Sequence, residues 1–565
     1  MRALARLTQA GPETPPIAAQ IFLNQIGYLP NHQKIATTIV TPTSQPHPSF
    51  RVHSQEHSAI VLEGRLSTPA LDSASGDITA QADFSSVTSP GTYRLEIAGV
   101  HSDPFTIGSH VYADALRLTA RSYYGQRCGC DVDLGNGYKH PACHLKGAFD
   151  PTSGRTGKVP NSGGWHDAGD YGRYVVNSGL STGTLLWAWE MYPEALHSLD
   201  LNIPESGRGI PDFLAEIKWN LDWMLSMQDP TDGGVWHKQT SLHFCAFIMP
   251  QDDHLVSEII GTNSAPYKST CATANLAAVM AIAARCYQPF YPAYAARCLT
   301  AARNAWSWTR KFPNVVFKNP PTVLTGEYGD GNCSDELLWA SAELFRTTRE
   351  PQFAAATLES IKPLLPTLKI GVPNWGDVAS MGLWTYAFAT SAKPTSITAA
   401  IQRATQASAA ELIERARTSG YGNSLSIADY HWGSNSNAGN QSLLLLVANR
   451  FHPDKAALDA ALSNLHYLVG RNCFGVSWVT QLGLRPFQHP HHRPSAADGI
   501  AAPWPGLLSA GPNAHGGDSV ADALPKAPPM RMWVDDQRAY SMNEIAINWN
   551  APLVFLLAAS NSKLA

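Results

Sequence analysis

The sequence predicts two units of different class, an N-terminal β-sandwich and a longer all-α unit behind it. Three observations carry that reading. At 565 residues the chain is too long for one ordinary domain. From about Ile21 to Ile107, short alternating runs are separated by Pro-rich breaks, the pattern of short strands in a sandwich. After Gly108 the apolar spacing becomes helical.

Each element has its own reason. Thr92-Tyr-Arg-Leu-Glu-Ile97 follows the Ser89-Pro-Gly91 turn and puts Tyr93, Leu95 and Ile97 on one face. The sandwich is expected over residues 18–108 and the helical unit over 109–565. Ile210, Phe213, Leu214, Ile217, Leu221, Met224 and Leu225 recur at helical spacing, with Pro211 placed for a first turn. Leu337, Leu338, Ser341, Leu344 and Phe345 do the same, as do Leu458, Ala461, Leu462, Leu465, Leu468 and Val469. The length left accommodates about a dozen helices of ordinary size, but periodicity does not close them into a barrel. Long Gly/Pro/Asn-rich loops run between them, where an enzyme on a helical scaffold keeps its site.

Composition excludes several classes. The net charge is −4 with no basic block, which argues against a nucleic-acid partner. No apolar run approaches the length of a membrane span. Met1 to Gln20 carries Arg2 and Arg6 but no apolar core, so no signal peptide is visible there. Nine cysteines, an odd number in a long chain, argue against a simple disulfide framework. Cys271, Cys286 and Cys298 lie in Ala-rich helical stretches and read as buried small hydrophobes.

The most informative stretch is Gly163-Gly-Trp-His-Asp-Ala-Gly-Asp-Tyr-Gly-Arg-Tyr-Val175. Asp167 and Asp170 stand three apart, and two carboxylates this close are costly to ionise together. They serve either to orient and deprotonate a water or, more blandly, to cap backbone N–H groups of the loop. Near the other end, Glu544 is flanked by Ile545, Ala546, Ile547 and Trp549. An apolar setting raises a carboxyl pKa, as a proton donor needs. The competing reading is an idle Glu near a helix N-terminus.

Both stretches resemble the two signatures of glycoside hydrolase family 9, whose members are mostly cellulases, and the resemblance covers nearly the whole chain. It implies an (α/α)6 barrel, with Asp170 as catalytic base, Asp167 as its partner on the water, and Glu544 as general acid. Family members invert the anomeric centre, which calls for carboxylates roughly 6.5–9.5 Å apart. Phe22-Leu-Asn-Gln-Ile-Gly-Tyr-Leu-Pro30 resembles the start of the immunoglobulin-like domain that precedes many family 9 catalytic domains. His489-Pro-His-His-Arg-Pro-Ser495 resembles the family's His-His-Arg block, implying sugar contacts by His491 and Arg493. A His cluster alone suggests a metal, but Arg493 would repel a cation. His237 and Trp549 fall roughly where the family has substrate contacts. Trp236, Trp375, Trp384, Tyr430 and Trp432 are further aromatics in or near loop-like stretches, each more often core than platform.

Cys128, Cys130, Cys143, His144 and His166 supply the sulfur and imidazole donors that zinc favours, at spacings unlike a standard finger. The resemblance implies a structural zinc on Cys128, Cys143, His144 and His166, with Cys130 competing for the first position. Asp330, Asn332, Asp335 and Glu336 form an oxygen-rich cluster before a helix, suited to calcium. Helix capping by Asp335 and dipole compensation by Glu336 explain it equally well.

The expected function is inverting hydrolysis of β-1,4-glucan or cello-oligosaccharides, most readily as an endoglucanase. Exo-acting glucosidases, cellobiosidases and glucosaminidases share the catalytic motifs. Pro528-Pro-Met-Arg-Met-Trp533 stands where many relatives carry a Cys-Tyr-like pair, which weakens assignment to one subgroup. Two other classes are a non-catalytic carbohydrate-binding protein and a hydrolase with catalytic zinc on His144 and His166. The resemblance also implies a secreted or periplasmic protein, and a monomer is expected.

Overall fold

The computed structural model describes residues 20–40, 49–160 and 163–562. The stretch weighed as a signal peptide lies almost wholly outside these residues. Nine strands build the N-terminal unit: β1 Ile21–Phe22, β2 Ile35–Ile39, β3 Ser49–Ser54, β4 Ala59–Arg65, β5 Ala70–Leu71, β6 Ile78–Asp83, β7 Gly91–Ile97, β8 Val100–His101 and β9 Phe105–Ile107. They form two sheets, β1-β2-β6-β5 and β4-β3-β7-β8, with β9 also on β7. Tyr93, Leu95 and Ile97 point inward as their alternation predicts, and join Phe50, Val52, Phe84 and Phe105 in one core.

Among the described residues, twelve helices of ten residues or more follow. They are α1 Ala113–Gly125, α2 Val175–Met191, α3 Asp212–Ser226, α4 Thr270–Tyr287, α5 Pro292–Lys311, α6 Ser334–Thr348, α7 Pro351–Ile361, α8 Ala379–Phe388, α9 Thr395–Thr418, α10 Ser434–Phe451, α11 Lys455–Leu468 and α12 Ile547–Ser560. The even-numbered helices are the inner ones. α2 packs against α4 and α12, α4 against α6, α6 against α8, and α10 against α12. Their sequences show why: α2 is buried from Val175 to Trp189 on every side, whereas α9 buries only Ile401, Thr405, Ala409 and Leu412. A helix without a polar face belongs inside, and one with a single apolar stripe belongs on the outer ring.

The predicted helices fall where their periodicity put them, with Pro211 at the N-cap of α3 rather than inside its first turn. Two expectations need correction. Cys271 is not a lone buried hydrophobe but is disulfide-bonded to Cys333, joining the start of α4 to the start of α6. The pairing spans 62 residues and left no spacing signal. Asp335 does not cap α6; its Oδ2 accepts the Val378 N–H instead, at 2.8 Å.

A five-stranded sheet lies at the site end of the helices: β10 Lys146–Phe149, β11 Lys158–Pro160, β12 Arg173–Tyr174, β13 Lys238–Thr240 and β14 Ser257–Ile260, in the order β11-β10-β14-β13-β12. It fixes the C-terminal end of the aspartate loop, because β12 follows that loop directly.

Candidate active site

The loop from Gly163 to Tyr171 is held by backbone bonds on several sides. The His166 N–H donates to Gln126 O at 2.6 Å, Asp167 N–H to Gly172 O at 2.9 Å, and Arg493 N–H to Gly169 O at 3.2 Å. Gly169 is required by close approach: a Cβ there would lie 1.9 Å from the His491 carbonyl oxygen. Gly172 is similar, since a Cβ would meet Tyr174 Oη at 2.5 Å and Asp170 Oδ2 at 2.7 Å. These glycines let the loop lie flat against its neighbours and turn both aspartates to one side.

Asp170 Oδ2 accepts from Tyr174 Oη at 3.1 Å and from the Gly172 N–H at 3.0 Å. Asp167 is buried, its Oδ1 accepting from Asn177 Nδ2 and its Oδ2 from Tyr328 Oη, both at 2.6 Å. Burial, and then the Asp170 charge beside it, push the Asp167 pKa up to about 8. Asp167 is thus held towards its protonated form near neutrality. Tyr328 reaches Asp167 from 161 residues away and holds a left-handed backbone, φ 45°, costly for a non-glycine residue.

Glu544 sits between a short helical turn, Tyr540–Asn543, and the start of α12. Its backbone bridges to His491, and its carbonyl accepts the Ala510 N–H at 2.9 Å. The first N–H of α12, from Ile547, donates to Asp167 O at 2.9 Å, so the two signatures are joined directly. Burial raises the Glu544 pKa well above the usual carboxylate range. Asp170 and Asp167 raise it further, and Arg493 and a hydrogen bond from Trp432 oppose them.

Asp167, Asp170 and Glu544 all open on one cavity of about 570 Å³. Its walls include Phe244, Tyr328, Trp375, Trp432 and Trp549. A buried acid held protonated, an aspartate pair and flat aromatic walls are the parts needed to cleave a glycosidic bond with water.

The chain matches glycosyl hydrolase family 9 over residues 112–557. It belongs to that family. Residues 17–102 match the cellulase N-terminal ig-like domain. Endoglucanase D of Acetivibrio thermocellus is 36% identical over 547 residues, covering 96% of this chain and 83% of that one. A xyloglucan-specific endo-beta-1,4-glucanase of Bacteroides ovatus is 34% identical, covering 96% and 94%. The crystal structure of family 9 endoglucanase J30 superposes with a TM-score of 0.88 at 36% identity, covering 94% of this chain and 99% of that one. The family 9 chain is accordingly a cellulase-like glycoside hydrolase with an immunoglobulin-like sandwich ahead of an (α/α)6 barrel.

The other expected site residues divide. Trp375 and Trp549 line the cleft of this family 9 enzyme. His491 and Arg493 are tied to backbone carbonyls: His491 Nδ1 lies 2.9 Å from Gln537 O, and Arg493 donates to Gly169 O at 2.8 Å and Cys245 O at 3.0 Å. His237 is not at the cleft wall. It is buried against Phe317, with Nδ1 3.1 Å from Ser269 Oγ and Nε2 3.0 Å from Glu327 O. Both ring nitrogens are engaged, so it supports the loop that carries Tyr328 instead of meeting sugar. Trp236 and Trp384 are core. Sequence reasoning missed Tyr328, Asn177 and Phe244, because nothing in a Gly-rich loop or an ordinary helix announces which side chain turns to the site.

Cys128, Cys143, His144 and His166 converge, with donor atoms within 4.8 Å of one another. Cys130 is outside this group, and burial pushes its thiol up to about 12. Cys128 is held well below the usual thiol range, first by a hydrogen bond from Cys143, which keeps the shared proton and is pushed up. His144 Nε2 stands 3.2 Å from Asp253 Oδ2, the carboxylate–imidazole pairing that orients metal-binding histidines. A second group joins Asp330, Asp335 and Glu336, all pushed up by burial. Asp330 Oδ2, Asp335 Oδ1 and Glu336 Oε2 are buried without a hydrogen-bond donor. Asn332 Oδ1 accepts the Ser334 N–H at 3.1 Å beside this group.

Proposed function

We propose that the chain is an inverting endo-β-1,4-glucanase acting on cellulose or a related β-glucan. The observation that carries this is the meeting of Asp167, Asp170 and Glu544 on one aromatic-walled cavity. Glu544, kept protonated by burial, gives its proton to the leaving glycosidic oxygen. Asp170 takes a proton from the attacking water, which Asp167 helps to orient. Trp375, Trp432 and Trp549 offer faces on which sugar rings stack. Arg493, fixed on the Gly169 and Cys245 carbonyls, keeps the loop and the acid in register.

Two cysteines and two histidines suit a tetrahedral zinc, and four protein donors would leave no position for a reacting water. Zinc on Cys128, Cys143, His144 and His166 would therefore pin the loop that carries Asp167. Three orphaned buried oxygens on Asp330, Asp335 and Glu336 suit a hard cation such as calcium. No helix among the described residues is long and apolar enough to cross a membrane. The cellulase relatives support a secreted protein.

Endo action is tested on soluble carboxymethylcellulose. Viscosity should collapse while few reducing ends have appeared. Steady release of glucose or cellobiose with viscosity nearly unchanged would assign an exo-acting enzyme.

A further inference from the structure

A cation lies buried where the sandwich meets the barrel, and among the described residues no carboxylate pairs with it. Arg471 follows α11 and is 1% exposed. Its Nε donates to Thr37 Oγ1 of β2 at 3.0 Å and its Nη1 to Ser463 Oγ of α11 at 3.3 Å. Both acceptors are neutral hydroxyls. Burial draws the guanidinium pKa down to about 10, with Tyr28 and then Asp83 opposing. Asp83 is exposed, and its Oδ1 already accepts the Ser85 N–H. Arginine is almost never fully buried without an anionic partner, because desolvation costs several kcal/mol or more that only a counter-charge returns.

The surroundings add positive charge. Lys34 turns its Nζ onto the carbonyls of Leu29, Pro30 and His32, and the charges of Asp83 and Asp459 also act on it. Beside Arg471 a cavity of about 250 Å³ opens between the two units. Gln33, Gln81, Ser463 and Arg417 give it a polar wall, with Arg417 paired to Glu414 and the Ser463 hydroxyl donating to Gly422 O, and Ile35 and Ala460 give it an apolar one. Asp459 is the carboxylate on that wall, and it is engaged by Lys455 Nζ at 2.5 Å and by the Gln33 N–H at 3.3 Å.

We propose that this cavity binds a small inorganic anion, phosphate or chloride in class, held by Arg471 between the sandwich and the barrel. The volume admits such an ion with several of its waters, at about 30 Å³ each. The anion would supply the counter-charge that the chain does not. Because Arg471 touches both β2 and α11, occupancy would also strengthen docking of the two units, by linkage. The cavity shares no residue with the Asp170–Glu544 cleft.

The test is calorimetric titration of inorganic phosphate, and separately of chloride, into the full chain in a zwitterionic buffer, with Tm followed in parallel. One anion or both should bind one-to-one and raise Tm saturably. Two variants probe the site. Arg471→Gln removes the cation. Ala460→Glu, one helical turn before Ser463 on the cavity wall, supplies an internal carboxylate. Each should weaken anion binding at least tenfold while activity on soluble cellulose derivatives is kept. If Arg471→Gln does not fold, Ala460→Glu decides alone. Absence of saturable binding of either anion to the unaltered chain up to about 10 mM, or undiminished binding by Ala460→Glu, would overturn the proposal.

Discussion

Glu544 and Tyr328 show at single-residue scale how the site is tuned. The folded protein raises the Glu544 pKa well above the value near 4.5 that the group has in the open chain. Below that pH both states hold the proton and no penalty arises. As pH rises towards the folded pKa, the unfolded chain releases its proton first, and stability falls. Glu544→Gln removes that loss. It should raise Tm at neutral pH, with the gain vanishing below about pH 4, while lowering kcat by about 10²–10⁴-fold. An unchanged Tm at both pH values would mean that Glu544 is not held protonated. Tyr328→Phe takes one donor from Asp167. Leaving a buried carboxyl oxygen without its donor costs about 1–3 kcal/mol, which predicts a fall in kcat of about 10–100-fold. KM should change little, because the hydroxyl faces Asp167 and not the cleft.

At the scale of elements, the aspartate loop is one piece of a wider clamp. Cys128 follows α1, Cys143 and His144 come from the next loop, and His166 precedes Asp167. If the proposed zinc joins these residues, its removal by a strong chelator, or Cys128→Ser, should lower Tm by several degrees, with activity lost in step with unfolding. Immediate loss of activity at unchanged Tm would point to a metal in the chemistry. This clamp was partly legible in advance. Sulfur and imidazole types mark a donor set wherever they cluster, but the choice between Cys128 and Cys130 depends on which way a turn points its side chains. The helices were legible for a related reason, since periodicity is local. The Cys271–Cys333 bond was not, because its partners meet only when α4 and α6 pack side by side. His237 misled for the opposite cause: its chemistry suits a sugar contact, but tertiary packing occupies both nitrogens.

The whole molecule brings together groups that lie some 370 residues apart in sequence by closing inner helices on one another, so that α12 follows Glu544 and α2 follows Asp170. That α2 and α12 pack together is what places Asp170 and Glu544 at one cavity. No local pattern contains that closure; it came from the resemblance, and the packing of the even-numbered helices supplies its physical reason. If Asp170 and Glu544 work as separate base and acid with water between base and sugar, one displacement must invert the reacting carbon. Proton NMR of the products in the first minutes of hydrolysis of a cello-oligosaccharide reads this directly. The α-anomer should appear first and then relax to the mixture by mutarotation. First appearance of the β-anomer would mean retention through a covalent intermediate, and would contradict the assignment of the two carboxylates.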